Sequence, residues 1–548
     1  MAVFDTDLSE ERIRRAVEGG YWRNERIEAY LDRWATTRPA KTALVDGAGR
    51  YTWAELARTV ERAAHGLAAH GVERGGVISC QLPNWNEFII VFLAAIRLGA
   101  VVNPIPPIFR ASELRFMLNR LESRVVVIPG TFRGFDHVAM LQALRPEVPR
   151  VEHVFVARGT PGAGMLPFTT LTDTAWEARA DRRGLPGSDP NEVNEVIFTS
   201  GTTGEPKGVM HTPNTALAIV YPAIERLRFS ERDVILMSST FGHQTGYLYG
   251  YCITLLLGAT GVWLDVWNAG EAARLIEAER VTFTMGATPF LQDLTGVPAR
   301  HDLSSLRLFI SAGAPIPRPL VRDARARLGC AISPGWGMTE NGLVTCTAFD
   351  ESEEKLFTTD GRPLPGMELR VVDGDGQSLP PGTEGDLLVR GPSQFVGYFK
   401  RPEFTSESYT AEGWFKTGDR GALDRDGYLS ITGRSKDLII RGGENIPVVE
   451  VENVLFAHPK VASVTIVGMP DPRLGERACA YVIPKSGESP TLAELVAFLE
   501  GKQLARQKFP ERIEIVSEFP MTPSGKVQKF RLRQLIAEKL ANESGRPG

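Results

Sequence analysis

The chain has 548 residues, too many for one small binding module and enough for several domains at roughly 100–200 residues each. Hydrophobic residues make up 43% and charged residues 23%, an ordinary globular mix that excludes disorder, collagen and extended coiled coil. With Lys+Arg at 62, Asp+Glu at 66 and a formal net charge of -4, no global field draws nucleic acid or an anionic membrane, so a polyanionic ligand has to be met locally.

From about Ala43 to Val156 amphipathic helical patterns alternate with short apolar runs. Trp53 to Ala69 reads as a helix followed by a strand at Val77 to Gln81, and Glu87 to Leu98 as a helix followed by a strand at Ala100 to Pro104. This alternation predicts layered α/β structure. It returns between Val234 and Ile332, with helices at Ala269 to Glu279 and Arg318 to Leu328 and strands at Val281 to Met285 and Leu306 to Ile310. Val234 to Leu264 holds no charged residue, but its glycines, His243 and Gln244 argue for a buried pocket wall, and stable membrane insertion is not expected.

After Pro363 the pattern becomes hairpin-like. Glu368 to Val372 and Asp386 to Arg390 flank Asp373 to Gly376, and Ala422 to Asp424 and Tyr428 to Thr432 flank an Asp-Gly turn. Beyond Gly433 come a helix at Pro447 to Ala457, strands at Ser463 to Met469 and Ala478 to Pro484, a helix opened by a Thr491/Glu494 capping box, and a strand at Ile513 to Val516. The expected division is a domain over 1–433, a hinge at 434–437 and a small α+β domain over 438–548. The five cysteines are odd in number, far apart and without CxxC spacing, a pattern of a reducing compartment. The amino terminus has acidic residues from Asp5 onward and no apolar stretch to act as a secretion signal; the expected location is cytoplasmic.

The most chemically loaded stretch follows the apolar run Glu195 to Phe198. Thr199, Ser200, Gly201, Thr202, Thr203, Gly204, Glu205, Pro206, Lys207 and Gly208 put hydroxyls, flexible glycines and a cation on one loop, the groups that hold a polyphosphate. The Walker spacing is not met. A flexible surface loop is the plain alternative for a Ser/Thr/Gly run. Further on, Gly335, Trp336, Gly337, Met338, Thr339 and Glu340 form one cluster, Thr417, Gly418 and Asp419 another, Gly433 to Asp437 a third, and Ser524, Gly525 and Lys526 a fourth.

These segments, in this order from about Ala43 to Leu535, resemble the signature motifs of the adenylate-forming superfamily of acyl-CoA synthetases, peptide-synthetase adenylation domains and luciferases. The resemblance implies a large N-terminal domain of layered α/β subdomains with a β-rich subdomain, and a small mobile α+β C-terminal domain. It implies that a carboxylate attacks the α-phosphorus of ATP to give an acyl adenylate and pyrophosphate, and that coenzyme A then takes the acyl group. By similarity, Lys526 reaches the α-phosphate and carboxylate; Lys207 and the Thr199 to Gly204 loop hold the outer phosphates; Glu340, next to Thr339, ligates Mg²⁺. Asp419 and Arg434 meet the ribose, Trp336 stacks on adenine where relatives carry Tyr or Phe, and Ala312, Gly313 and Ala314 leave room for the base and acyl group.

The same resemblance makes His243 a positioning residue for the carboxylate, Lys436 the hinge, and Arg441, Gly442, Gly443, Glu444 and Lys508 the coenzyme A contacts. Gln507 stands where Tyr is common before Lys508, which leaves the coenzyme A phosphate contacts open. The run Gly442 to Glu452, with Pro447 directly after Ile446, is similar to the cyclohexanecarboxylate-CoA ligase and medium-chain acyl-CoA synthetase branch. Candidate acyl-pocket residues are His243, Gln244, Thr245, Gly246, Tyr247, Ala287, Gly313, Met338 and Val344. No carboxylate occurs between Asp233 and Asp265, so an uncharged, apolar substrate tail is expected. The partners expected are a small carboxylic acid, ATP and coenzyme A, without nucleic acid, in a monomer or homodimer. The alternatives are an aryl-acid adenylating enzyme loading a carrier protein, a luciferase-like oxygenase, and a non-catalytic nucleotide-binding relative. Hydrolase chemistry lacks both its Gly-x-Ser-x-Gly and its His-Glu-x-x-His signature.

Overall fold

Short Val/Ile/Leu strands buried on both faces need helices on both sides, and parallel pairing supplies them through crossover connections. The computed structural model describes residues 4–179, 184–199, 206–298, 300–434, 437–441, 444–446, 448–502, 504, 506–522 and 525–544. A seven-stranded sheet runs in the order Lys207–His211, Glu195–Thr199, Val101–Pro104, Val77–Cys80, Val125–Pro129, His153–Ala157, Leu166–Pro167. A nine-stranded sheet is centred on Leu308–Ser311, Phe283–Gly286, Val234–Met237 and Thr260–Trp263, all parallel, with antiparallel pairs toward its edges.

The strand period of two decides the layering. Val77, Val101, Val126 and Val154 of the seven-stranded sheet face an outer core with helices Ala111–Leu121 and His137–Leu144. Their neighbours Ile78, Val102, Val125 and Phe155 face inward. From the nine-stranded sheet, Ile235, Met237, Phe283, Met285 and Ile310 join the same inner core, while Leu236, Val262, Phe309 and Ile332 pack outward against Ala269–Glu279 and Arg318–Leu328. The two sheets thus share one central core, filled by helices Trp53–Ala69 and Asn86–Arg97 and by the uncharged segment between the strands Val234–Met237 and Thr260–Trp263. That segment is a π-helix, Thr245–Cys252, running into the α-helix Ile253–Leu257. Among the described residues no helix is long and apolar enough to cross a membrane.

The hairpin-like stretch forms a four-stranded antiparallel sheet, Glu368–Val372, Gly385–Arg390, Phe415–Leu423 and Leu429–Arg434. The last region builds a five-stranded sheet with its own cores: Val448–Phe456 and Leu492–Gly501 pack on one face, and Leu532 and Ile536 of Lys529–Ser544 on the other. The Thr491/Glu494 capping box forms as the sequence predicts. The fold is therefore α/β, with a large N-terminal and a small C-terminal domain. The five cysteines are free and buried. Several strands, such as Phe283–Gly286 and Leu308–Ser311, begin and end later than the apolar runs alone indicate, because pairing partners rather than side chains set the ends of the ladder.

Asn86–Arg97 sits between the sheets, with Phe88 through Ile96 buried. Its Leu93 is completely enclosed. Leu93→Ala should therefore lower stability by about 2–5 kcal/mol, read as a lower midpoint in urea denaturation followed by far-UV circular dichroism.

Candidate active site

The ends of both sheets and one loop of the small domain converge. Thr199 and Lys207 are cross-strand partners, and their strands carry the Ser/Thr/Gly loop between them. Ser200, Gly201, Thr202, Thr203 and Gly204 lie outside the described residues, as do Lys436, Gly442 and Gly443. Lys207 extends over the rings of Tyr398 and Phe404, its Nζ 5.0 and 4.5 Å from their centroids, a cation–π seat that holds the ammonium without neutralising it.

Strand Ala331–Met338 turns through Thr339, Glu340 and Asn341 into Gly342–Cys346. The turn is fastened from below: His211 Nε2 meets the Thr339 carbonyl at 2.8 Å, and the Glu340 carbonyl accepts from Phe395 N–H at 2.8 Å. The Glu340 carboxylate accepts from the Tyr398 hydroxyl at 2.8 Å. Burial pushes its pKa up, against the pull of Tyr398, Lys526 and Lys207. Tyr398 therefore serves two residues of the site at once, and neither it nor His211 stands out in the sequence, because both act by packing beside motifs rather than within them.

Asp419 is 5% exposed, and both of its oxygens are engaged. Trp336 Nε1 donates to Oδ2 at 2.8 Å and Arg434 Nε to Oδ1 at 2.9 Å. The strand register makes Asp419 and Arg434 direct cross-strand partners, and Gly418 at φ +71 supplies a backbone turn that L side chains rarely adopt. An indole at 336 thus adds a hydrogen bond that a Phe ring in its place lacks.

Lys526 comes from the small domain. Its loop is closed by Thr522 N–H donating to the Lys526 carbonyl at 2.7 Å and by Lys526 N–H donating to Thr522 Oγ1 at 2.9 Å. The side chain passes over Gly313, where a Cβ would meet Lys526 Cε at 3.4 Å, while a Cβ on Gly525 would lie 3.3 Å from the Ala287 Cβ. Gly313, at φ +85, follows strand Leu308–Ser311 between Ala312 and Ala314. Gln292 Nε2 adds a bond from the large domain to the Ala462 carbonyl at 2.9 Å. Burial, reinforced by Arg434, lowers the Lys526 pKa to about 8, while Asp419 and Glu340 pull it upward.

His243 lies close enough to Lys526 to feel its charge, and burial with that charge lowers its pKa to about 3. Its Nδ1 accepts from Thr245 N–H at 3.2 Å, so the neutral ring carries its proton on Nε2. Gly246 seats the π-helix against the Ser239 and Thr240 carbonyls, where a Cβ would come within 2.5 and 2.3 Å. Tyr247 and Val344 are buried in the central core, and Met338 is packed against it. Gln244 is buried and donates to Glu195 Oε2 at 3.2 Å. The uncharged wall read from the sequence therefore has a carboxyl beside it, brought in by a different strand; scanning one continuous segment does not find it.

Arg441 and Lys508 are not gathered with these groups. Arg441 pairs with Glu511 at 2.8 Å and Lys508 with Glu450, all within the small domain. Glu444 is paired on the neighbouring strand to Arg441.

The AMP-binding enzyme family model matches residues 31–399, and that of the AMP-binding enzyme C-terminal domain matches 450–526. The chain belongs to the AMP-binding enzyme family. This AMP-binding enzyme is 37% identical to the medium-chain fatty-acid–CoA ligase of Escherichia coli (strain K12) over 543 residues, 98% of this chain and 95% of the relative. It is 34% identical to the 2,3-dihydroxybenzoate-AMP ligase of Bacillus subtilis (strain 168), over 95% of this chain and 96% of that protein. Among solved structures, the anthranilate CoA ligase AuaEII in complex with anthranoyl-AMP matches with a TM-score of 0.86 at 25% identity, covering 94% of this chain and 98% of that one. The protein is accordingly a ligase of the adenylate-forming acyl- and aryl-CoA synthetase family.

Removing the indole donor leaves Asp419 with Arg434 alone. Trp336→Phe should lower stability by about 1–3 kcal/mol, the cost of an unmade bond to a buried charged acceptor, measured by urea denaturation.

Proposed function

We propose that the protein is an AMP-forming carboxylate:CoA ligase for a small uncharged carboxylic acid, of the size of cyclohexanecarboxylate or a medium-chain fatty acid. The observation that carries this reading is the delivery of Lys526 by the small domain to a point over Gly313, beside His243, Glu340 and the Asp419–Arg434 pair. Carboxylate attack on the α-phosphorus concentrates negative charge there, so fixed donors and cations lower the barrier more than a protein nucleophile does. Lys526 supplies the cation to the α-phosphate and the carboxylate. Lys207 and the Thr199 to Gly204 loop hold the outer phosphates. Asp419 accepts from the ribose hydroxyls with Arg434 beside it, Trp336 offers its face to adenine, and the small residues Ala312 to Ala314 leave space for it. His243 keeps a neutral Nε2–H for the substrate carboxylate and orients it without acid–base exchange.

Glu340 suits Mg²⁺. Its carboxylate is partly buried, Oε1 accepts from Tyr398, and one carboxylate with phosphate and water meets the needs of that ion. Mg²⁺ held there polarises the phosphoryl oxygens and templates the leaving group. Tyr398 fixes the rotamer of Glu340 and so the place where a cation is held.

For the second half-reaction, we assign residues 434–437 as the hinge between a domain over 1–433 and one over 438–548. Turning about Lys436 withdraws Lys526 and presents the Arg441 to Asn445 strand pair to the acyl adenylate, with Lys508 as a contact for coenzyme A. Hinges of this kind are a few residues that absorb large φ/ψ changes. Incubation with ATP, Mg²⁺, coenzyme A and a panel of carboxylates, with thioesters detected by mass, tests the reading. Thioester from one or two acids supports it; pyrophosphate release without thioester assigns a different acceptor, such as a carrier protein.

Lys526→Ala should abolish pyrophosphate release with every acid while sparing thioester formation from supplied acyl adenylate; equal loss of both contradicts the role. The cationic form of Lys526 is the active one, so kcat/KM for adenylate formation should fall as pH rises through about 8, well below the range where an ordinary lysine loses its charge.

A further inference from the structure

One polar group buried between the two sheets has no part in the chemistry at Lys526. Glu195 opens its strand, paired to Val102 on one side and His211 on the other, and is 1% exposed. Val196 and Phe198 belong to the outer core of that sheet, so strand alternation sends Glu195 to the opposite face, toward the central core and the π-helix. There Gln244 Nε2 donates to its Oε2 at 3.2 Å, and Tyr247 and Cys252 stand within reach of its field. No cationic side chain among the described residues offsets it, and burial pushes its pKa well above the usual carboxyl range.

Hydrogen bonding at this cluster is incomplete. Glu195 Oε1 and Gln244 Oε1 have no partner among the described residues, and the Tyr247 hydroxyl has only the Cys252 thiol beside it, a weak partner. Buried polar ends nearly always find partners, and three incomplete ones together mark a place where a ligand completes the set. Gln244 directly follows His243, which sits beside Lys526, and caps the π-helix that carries Tyr247 three residues further on. Phe92 and Tyr251 flank Tyr247 with ring centroids 5.0 and 6.2 Å away, walls suited to a flat or alicyclic ring.

We infer that Glu195, Gln244 and Tyr247 form the distal end of the acyl pocket and select acids bearing a hydroxyl group about one ring's length from the carboxylate. This rests on the ligase reading above and narrows its substrate. A hydroxyl both donates and accepts, so it satisfies Tyr247 and the free amide end of Gln244 whichever way that amide is turned. A second carboxylate meets no cation here, and an ammonium requires Glu195 to ionise in an apolar surround, at the cost of burying two charges.

The test compares matched acids: benzoate with its meta- and para-hydroxy forms, cyclohexanecarboxylate with its 4-hydroxy form, and para-aminomethylbenzoate as the cationic member. The purified full-length enzyme should favour a hydroxylated member over its parent by about tenfold or more in kcat/KM for pyrophosphate release. Glu195→Leu and Tyr247→Phe should bring the two members of that pair to within about twofold of each other. Glu195→Gln, close in volume and carrying both a donor and an acceptor, should keep most of the preference and controls for misfolding of the leucine variant. Parents favoured over all their hydroxylated forms, a preference that survives both Glu195→Leu and Tyr247→Phe, or a preference for the aminomethyl acid overturns the inference while leaving the ligase reading standing. Absence of pyrophosphate release and thioester with every acid removes the ligase reading, and this inference with it.

Discussion

The Asp419 carboxylate is the point through which the parts of the site are tied. It is buried, and its two oxygens are taken by an indole from the nine-stranded sheet and a guanidinium from the last strand before the small domain. A buried charge is tolerable only while it is paired and hydrogen-bonded. That requirement holds three structural units in one relation: the strand Ala331–Met338, the turn Thr417 to Asp419, and the end of the strand Leu429–Arg434. Arg434, half exposed beside it, also depresses the Lys526 pKa, so the same ion pair that fixes the large domain sets the electrostatics met by the arriving lysine.

Around this tie the site gathers positive charge without neutralising it. Lys207 rests on aromatic faces instead of on a carboxylate, and Lys526 reaches the large domain across a glycine. Glu340, which feels the charge of both lysines, accepts its hydrogen bond from a phenol rather than from a cation. The alternative, surface-style salt bridges, occurs in abundance elsewhere on the molecule, as between Arg124 and Glu152 or Arg274 and Glu271, where exposed pairs contribute little.

The shared core between the two sheets explains why the surroundings of the π-helix have mixed parentage. Each sheet contributes its inward face, and the π-helix Thr245–Cys252 lies between them. Residues remote in sequence, such as Glu195 and Gln244, become neighbours because one opens a strand of the first sheet while the other caps the π-helix that lies between two strands of the second. A segment without charge in the sequence can therefore still border a buried carboxyl, and the polarity of a pocket is a property of the packing, not of the segment that lines it.

Much of the layout is legible from residue order. The alternation of Trp53–Ala69 with Val77–Cys80, the identical limits of Ala269–Glu279 and Arg318–Leu328, and the Thr491 capping box all follow from local periodicity and hydrogen-bonding chemistry, which act within a few residues and need no tertiary information. The ordered motifs from Thr199 to Lys526 likewise determined the family, because phosphate, ribose and metal chemistry demands particular side chains at particular turns. What only the tertiary structure decided is which groups meet. The pairing of Asp419 with Trp336 and Arg434, the seat of Lys207 on Tyr398, the fastening of the Thr339 turn by His211, and the approach of Glu195 to Gln244 all depend on strand register and sheet packing. Those contacts join residues tens to hundreds of positions apart, and distances of that kind are set by the sum of the core's packing rather than by any local pattern along the chain.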